Sequence, residues 1–326
     1  MSWRGLMVCA VDGTVISVGD SPANLTASVK HRCNHGAGGY PAIRVVAVVA
    51  CGTRTIIDAV FGSAGIGELS YAPRLARSLH AGMLVLADRN FAVARLWAEL
   101  ADTGADLLIR CKTGRRLPVI GRHRDGSYTS VLGGRTIRVI DAEVTIATAA
   151  GRHTGHYRLI TTLLDHHRYP AAEPITLYHQ RWEIETVYLE LKSTILGGRV
   201  LRARTPAGIE QEVYALLVTY QILRTAMTDA TNSVPTLDPD RASFTIALHA
   251  ARDQLIQAAG VIADTVIDLV GELGRHILTN LMPNRRLRIK PRTVKRAISK
   301  YNARGPNINR ATYQATIEIN IIDSGS

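Results

Sequence analysis

The sequence predicts an α/β protein with a mixed sheet flanked by helices, followed by a helical and basic C-terminal part. Over the first 114 residues, short apolar segments alternate with helical patterns, as is typical of strands and helices packed in layers. From residue 115 to 172 the pattern changes to short β-prone segments separated by Gly and charged residues. We interpret this stretch as a β-rich insertion in the α/β core.

Size and composition are those of a globular protein. The chain has 326 residues, 46% of them hydrophobic, which allows a substantial core and about two domains. Its four cysteines lack the close spacing of zinc or redox sites, so we expect reduced thiols at Cys9, Cys33, Cys51 and Cys111. The sequence contains neither a leader-like start nor an apolar run of about 18 residues, which predicts a cytoplasmic protein without a membrane partner.

The charge of the chain indicates an anionic partner. The formal net charge is +12, and the sequence pI is near 9.9. Nucleic acid is the leading candidate for such a partner, and a purely solvated basic surface is the alternative.

Two predicted strands in the first third end on an acid. Residues 5–12 form an apolar run that ends at Asp12, and residues 82–88 repeat the pattern with Asp88. An acid at the end of a buried strand is delivered to a sheet edge, although such residues are often simple turn residues. Between these strands we predict a loop over 21–40 and a β-hairpin over 42–62.

Helical patterns dominate after the insertion. We predict helices at about 174–196, 206–228, 241–259 and 262–278. The resulting domain prediction is a discontinuous α/β core over 1–114 and 173–230, the insertion over 115–172, and a helical region with a basic tail over 231–326.

Four polar residues share one side of the first of these helices. Arg181, Glu185 and Lys192 follow Tyr178 by three, seven and fourteen positions. At about 100° per residue, the four side chains fall within roughly 60° of one another on a regular α-helix. A solvated face with intrahelical ion pairs is the alternative interpretation of this stripe.

The spacing of Tyr, two residues, Arg, three residues, Glu, six residues and Lys resembles the signature of insertion-sequence-4 family transposases, which belong to the DDE transposases. Asp12 and Asp88 stand where that family places its other two acids. The resemblance covers nearly the whole chain and implies a ribonuclease-H-like fold. It also implies that Asp12, Asp88 and Glu185 are catalytic and hold two Mg²⁺ ions, for which Mn²⁺ would substitute.

By the same resemblance, the chain would cleave DNA and transfer strands at the terminal inverted repeats of an insertion sequence in a bacterial nucleoid. Its partners would be the double-stranded DNA of transposon ends and target, and a second copy in a synaptic homodimer. Tyr178, Arg181 and Lys192 suit phosphate contacts. A basic C-terminal segment supplies further candidate DNA contacts: Arg285, Arg286, Arg288, Lys290, Lys295, Arg296 and Lys300.

Three features depart from the family pattern, and one of them is the altered loop over residues 29–39. Only eleven residues precede Asp12, so the resemblance implies a chain without the usual N-terminal DNA-contacting region. Asn90 stands where a Gly is expected after the second Asp and Arg.

Trp97 and Trp182 lie in helical apolar patterns, so we expect both in the core rather than stacked on a base.

Two alternatives to an active transposase remain at this point. One is a catalytically inactive, truncated transposase that acts only as a DNA-binding protein. The other is a ribonuclease-H-like nuclease for nucleic-acid repair or processing, since a metal triad does not identify its substrate.

Overall fold

The protein is described here by a computed structural model, which covers residues 2–33, 36–149, 151–259, 268–283, 288–289 and 313–322. Its contacts divide the chain into two compact units. The first comprises Met1–Val29, Pro41–Tyr71 and Arg181–Arg285, and the second comprises Lys30–Tyr40, Ala72–Gln180 and Arg286–Ser326.

Strands supply most of the regular structure in the first half of the chain, and two further strands lie near its C-terminal end. In chain order they are β1 (Ser2–Trp3), β2 (Leu6–Ser17), β3 (Val29–Cys33), β4 (Gly36–Ala50), β5 (Ile56–Ser63), β6 (Met83–Ala87), β7 (Asp106–Cys111), β8 (Gly121–Arg122), β9 (Tyr128–Leu132), β10 (Arg135–Thr148), β11 (Gly151–Thr161), β12 (Arg288–Ile289) and β13 (Tyr313–Ile321).

Helices dominate the second half. The α-helices are α1 (Pro22–Ala27), α2 (Glu68–Tyr71), α3 (Ala94–Ala101), α4 (Ala172–Leu177), α5 (Glu183–Leu189), α6 (Pro206–Asn232), α7 (Phe244–Ala259) and α8 (Leu269–Thr279). Segments of 3₁₀-helix cover Ala72–Ser78, Tyr178–Trp182 and Pro239–Arg241, and a π-helix covers Glu190–Ile195.

The first unit is an antiparallel sheet with helices. Strand β4 pairs with β2 on one side and with β5 on the other, and the apolar centres of β2 and β4 are fully buried. Helix α5 contacts β2, while α6, α7 and α8 pack on one another. Helix α6 begins where the Thr205 hydroxyl accepts a hydrogen bond from the Gly208 amide and Pro206 occupies the first turn, an arrangement that favours a helix start.

The second unit contains both parallel and antiparallel pairs. Strands β6 and β7 are parallel, β7 pairs antiparallel with β11, and β10 pairs antiparallel with β9, β11 and β13. Helix α3 buries Leu96, Trp97 and Leu100. The predicted mixed α/β class is therefore confirmed. Three antiparallel strands followed by two parallel strands with an intervening helix agree with a ribonuclease-H-like order of elements.

Strand β2 and the segment over 21–40 differ from their predictions. The strand that was predicted to end at Asp12 runs on to Ser17. The loop predicted over 21–40 is wrong, because helix α1 and strands β3 and β4 occupy much of it. Ser21 caps α1 by accepting a hydrogen bond from the Asn24 amide, and Pro22 stands at its first position. The polar residues that suggested a loop therefore start a short helix instead.

Two smaller predictions concern thiols and membrane spans. Cys9, Cys51 and Cys111 are buried free thiols, as expected, and burial raises the pKa of Cys9 to about 11. Within the described part of the chain, the helices are too short or too polar to traverse a bilayer.

Candidate functional site

Asp12 lies at the point where β2 leaves its buried stretch. Residues 8–11 are buried, whereas the Asp12 side chain retains 18% exposure. The Gly13 amide donates a hydrogen bond of 2.8 Å to Asp12 Oδ1. A Cβ atom on residue 13 would lie 2.6 Å from Glu68 Cγ, and Glu68 is itself held by Arg44 at 2.8 Å. The close packing of Glu68 therefore requires Gly at position 13.

Arg181 brings Asp12 and Glu185 into one site. Its Nη1 lies 3.1 Å from Asp12 Oδ2, and its Nη2 lies 3.3 Å from Glu185 Oε1. The Arg181 side chain is only 12% exposed, while the Glu185 side chain is 44% exposed. Two carboxylates that are far apart in the sequence thus converge on one cation, with Glu185 open to solvent.

Two more side chains connect the helical segment of Glu185 to strand β2. The Tyr188 hydroxyl donates a hydrogen bond of 2.6 Å to the main-chain carbonyl of Asp12, and Lys192 Nζ donates one of 2.9 Å to Thr14 Oγ1. Burial, with a further contribution from the Asp12 carboxylate, raises the pKa of Tyr188 well above its usual value. Its hydroxyl therefore stays protonated and able to donate. The role of Tyr188 was not predicted from the sequence, although this residue follows Glu185 by about one helical turn.

The helix predicted over 174–196 is not a uniform α-helix. A 3₁₀ segment precedes α5, and a π-helix follows it. The carboxylates at both ends of α5 are anchored: Glu183 pairs with Arg54, and Glu190 pairs with Arg224. The turns of a π-helix hold more residues than those of an α-helix. Because the π-helix begins at Glu190, the direction of Lys192 relative to Glu185 differs from the one that a regular α-helix would give.

Tyr178 occupies a buried position in the second unit. Its side chain is 7% exposed, and its hydroxyl donates a hydrogen bond of 2.9 Å to the carbonyl of Ala87. Ala87 is the last residue of β6 and directly precedes Asp88. The structure thus uses this hydroxyl inside the protein, and the phosphate contact predicted for Tyr178 remains a prediction.

Asp88 begins a tight turn after β6. Its Oδ1 accepts a hydrogen bond of 2.7 Å from the Asn90 amide, and its carbonyl accepts one of 3.1 Å from the Phe91 amide. Among the described residues, the non-glycine positions with positive φ are Arg4, Arg54 and Thr236. Asn90 is not one of them, so this turn does not require the Gly that the family pattern places there.

The two tryptophans differ in environment. Trp97 is fully buried, as expected, whereas Trp182 is 60% exposed. The expectation of a core position for Trp182 was therefore wrong. Trp182 stands at the end of a 3₁₀ segment, where apolar spacing for a regular α-helix does not apply. The Arg181 guanidinium carbon lies 5.5 Å from its ring centroid, so an exposed aromatic ring borders the carboxylate site.

Most of the basic C-terminal candidates lie outside the described residues, namely Arg285, Arg286, Lys290, Lys295, Arg296 and Lys300. Arg288 belongs to β12, where its backbone is paired with Gln314 of β13.

The site has the donor chemistry for a divalent metal ion. In the described part of the chain, no group of three or more His, Cys, Asp or Glu side chains is arranged to hold a metal. Asp12 and Glu185 do present carboxylate oxygens to one shared cation, the Arg181 guanidinium. Hard oxygen ligands of this type suit Mg²⁺ and Mn²⁺, so these two residues fit such an ion.

The known proteins to which this chain is similar are transposases. A transposase of insertion sequence element IS4 from Escherichia coli, named InsG, is 26% identical over 309 residues, which cover 92% of this chain and 70% of that protein. A cryo-EM structure of a piggyBac transposase synaptic complex with hairpin DNA aligns with a TM-score of 0.46 and 12% identity, over 85% of this chain and 58% of that one. Residues 3–222, which include Asp12, Asp88 and Glu185, match the Transposase DDE domain family, and the chain belongs to this family.

Proposed function

We propose that this protein is a DNA transposase that cleaves DNA and transfers strands at the terminal inverted repeats of an insertion sequence. The observation that carries the proposal is the convergence of Asp12 and Glu185 on one cation, Arg181. Both acids belong to the spacing pattern that the sequence shares with insertion-sequence-4 transposases. Membership in the Transposase DDE domain family supports a nuclease and strand-transferase chemistry.

In this proposal Asp12, Asp88 and Glu185 hold two Mg²⁺ ions. When bound, the two cations would stabilise the negative charge that develops on the attacking and leaving oxygens of the phosphodiester. The chain's contribution is to fix the carboxylates from distant segments. Asp12 is placed by β2 and by its hydrogen bond from Gly13, and Glu185 is placed by the anchored helix α5.

Arg181 and Lys192 would orient the DNA backbone. The Arg181 guanidinium neutralises Asp12 and Glu185, and its planar set of donors also matches two phosphate oxygens. We propose that it moves from the carboxylates to the phosphate when DNA binds. Lys192 Nζ donates a hydrogen bond to Thr14 Oγ1, two residues from Asp12. From this position the charge of Lys192 can attract the same phosphate.

Trp182 is a further proposed DNA contact. Because its ring is 60% exposed beside Arg181, it can stack on an unpaired base without disturbing the core. Stacking on an aromatic ring contributes about 1–3 kcal/mol per base and tolerates any base sequence. Trp182 would therefore hold DNA ends near the carboxylates without selecting their sequence.

The remaining proposals follow from the family and the charge. The core over 1–114 and 173–230 would carry the chemistry, and the basic segment after residue 284 would bind the DNA backbone. We propose a synaptic homodimer on transposon ends and target DNA in the bacterial cytoplasm.

The test is cleavage of a labelled duplex that carries the terminal repeat of the protein's own element, with a shuffled duplex of equal composition as control. We expect cuts at the repeat end in Mg²⁺ or Mn²⁺ and none in a chelator. Binding of the repeat without cleavage would instead support the inactive DNA-binding alternative. Equal cleavage of both duplexes would support a general ribonuclease-H-like nuclease.

A further inference from the structure

The Tyr188 hydroxyl connects helix α5, which contains Glu185, with strand β2, which contains Asp12. Tyr188 lies on α5, three residues after Glu185, and its side chain is 5% exposed. The hydroxyl donates to the main-chain carbonyl of Asp12 at 2.6 Å. The acceptor therefore belongs to the same residue whose carboxylate faces Arg181.

The acceptor of this hydrogen bond lies within the sheet. Asp12 of β2 is paired with Ala47 of β4, so the Tyr188 hydroxyl links α5 to a paired position of the sheet. A shift of α5 along the sheet would break this hydrogen bond inside a buried environment, where unpaired polar groups are costly.

Other side chains anchor this helical segment at different points. Arg54 and Arg224 hold Glu183 and Glu190 at the two ends of α5, and Lys192, on the π-helix that follows, bonds to Thr14 of β2. The Tyr188 hydroxyl bonds to the backbone of Asp12 itself.

We infer that Tyr188 is a positioning residue that sets the separation of the Asp12 and Glu185 carboxylates and thereby the affinity of the site for a divalent cation. The inference rests on the proposed metal-dependent function. Groups that orient metal ligands typically change metal affinity by about 10–100-fold when they are removed. The hydroxyl acts through the main chain of Asp12 and does not touch the reacting atoms.

The experiment compares Mn²⁺ affinity of the full chain and its Tyr188→Phe variant, with free Mn²⁺ measured by electron paramagnetic resonance. Tyr188→Phe removes one oxygen and keeps the packed ring. Tyr71→Phe is the matched control, because Tyr71 is also 5% exposed and its hydroxyl donates to a main-chain carbonyl, that of Ser63 at 3.0 Å. Thermal unfolding of both variants measures the general effect of losing a buried hydroxyl.

We expect Tyr188→Phe to weaken Mn²⁺ binding by about 10–100-fold and Tyr71→Phe to bind as the wild type does, with similar falls in melting temperature. Wild-type Mn²⁺ affinity in Tyr188→Phe, together with lost binding in Asp12→Asn, would overturn the positioning role and leave the proposed function intact. If Asp12→Asn binds Mn²⁺ with the same affinity as the wild type, the proposed metal site is contradicted. The inference about Tyr188 is then contradicted as well.

Discussion

Replacing Glu185 with Gln is expected to reduce metal-dependent DNA cleavage about a thousandfold, since a catalytic metal ion supplies several kcal/mol of transition-state stabilisation. Gln keeps the size of the side chain but loses the charge that attracts a divalent cation. The Glu185 side chain is 44% exposed in its pair with Arg181, so the fold should lose no more than about 1 kcal/mol. Single-turnover cleavage of the labelled terminal-repeat duplex measures the effect.

Glu210→Gln is the control for this substitution. Glu210 lies on an exposed position of α6, so the same change of charge there should leave the cleavage rate unaltered. DNA binding by Glu185→Gln should be retained, because one negative charge less favours contact with phosphates. A Glu185→Gln variant that cuts at the wild-type rate would contradict the role assigned to Glu185.

Removing the Arg138 side chain is expected to produce the largest loss of stability. Arg138 is fully buried on β10 and pairs with Asp125. It also donates hydrogen bonds to the Ser127 hydroxyl at 2.8 Å and to the Tyr169 carbonyl at 2.6 Å. Arg138→Ala leaves these acceptors without their donor, and breaking a buried ion pair in this way costs about 3–5 kcal/mol. Urea unfolding of the full chain would measure this change.

Arg135→Ala on the same strand is the matched control. Arg135 pairs with Asp102 at the surface, with side chains that are 44% and 59% exposed, so its removal should cost no more than about 1 kcal/mol. Equal losses for Arg135→Ala and Arg138→Ala would contradict the importance of the buried pair.

The Arg138 pair also predicts an acid dependence of stability. Burial acts to raise the pKa of Asp125, but hydrogen bonds from Ser127 and the charge of Arg138 outweigh it, and the net pKa is lowered. Asp125 therefore adds stability at pH values above the usual carboxyl pKa of about 3.9, and this stability is lost as the pH falls towards the lowered value. Arg138→Ala should show a weaker loss of stability below pH 4.

Strands with continuous apolar runs were predictable from the sequence. Strand β6 ends at Ala87, directly before Asp88, as expected, because a buried run can be identified by its composition alone. The buried run at residues 8–11 was identified in the same way, but β2 does not end at Asp12 and continues to Ser17. Strand β3 and helix α1 were missed because Gly, Asn and Ser in that stretch are equally frequent in loops, and their structure depends on pairing and capping.

The candidate site was predictable where it depended on residue spacing. Arg181 and Glu185 follow one another by four positions, and the structure places both at one carboxylate site with Asp12. Tyr188 was missed and Trp182 was misjudged because their environments depend on tertiary contacts and on the change of helix type around α5. Spacing on a regular α-helix contains neither kind of information.

The most direct test of the central claim is cleavage of the terminal-repeat duplex in Mg²⁺ by the wild type and by Asp88→Asn. Asparagine retains an oxygen that can accept the hydrogen bond from the Asn90 amide, so the turn is preserved while the charge is lost. Asp102→Asn, at an exposed position of the same unit, is the control. We predict that Asp88→Asn binds the duplex but does not cut it, whereas wild type and Asp102→Asn cut equally. Cleavage by Asp88→Asn at the wild-type rate would contradict a metal site built from Asp12, Asp88 and Glu185.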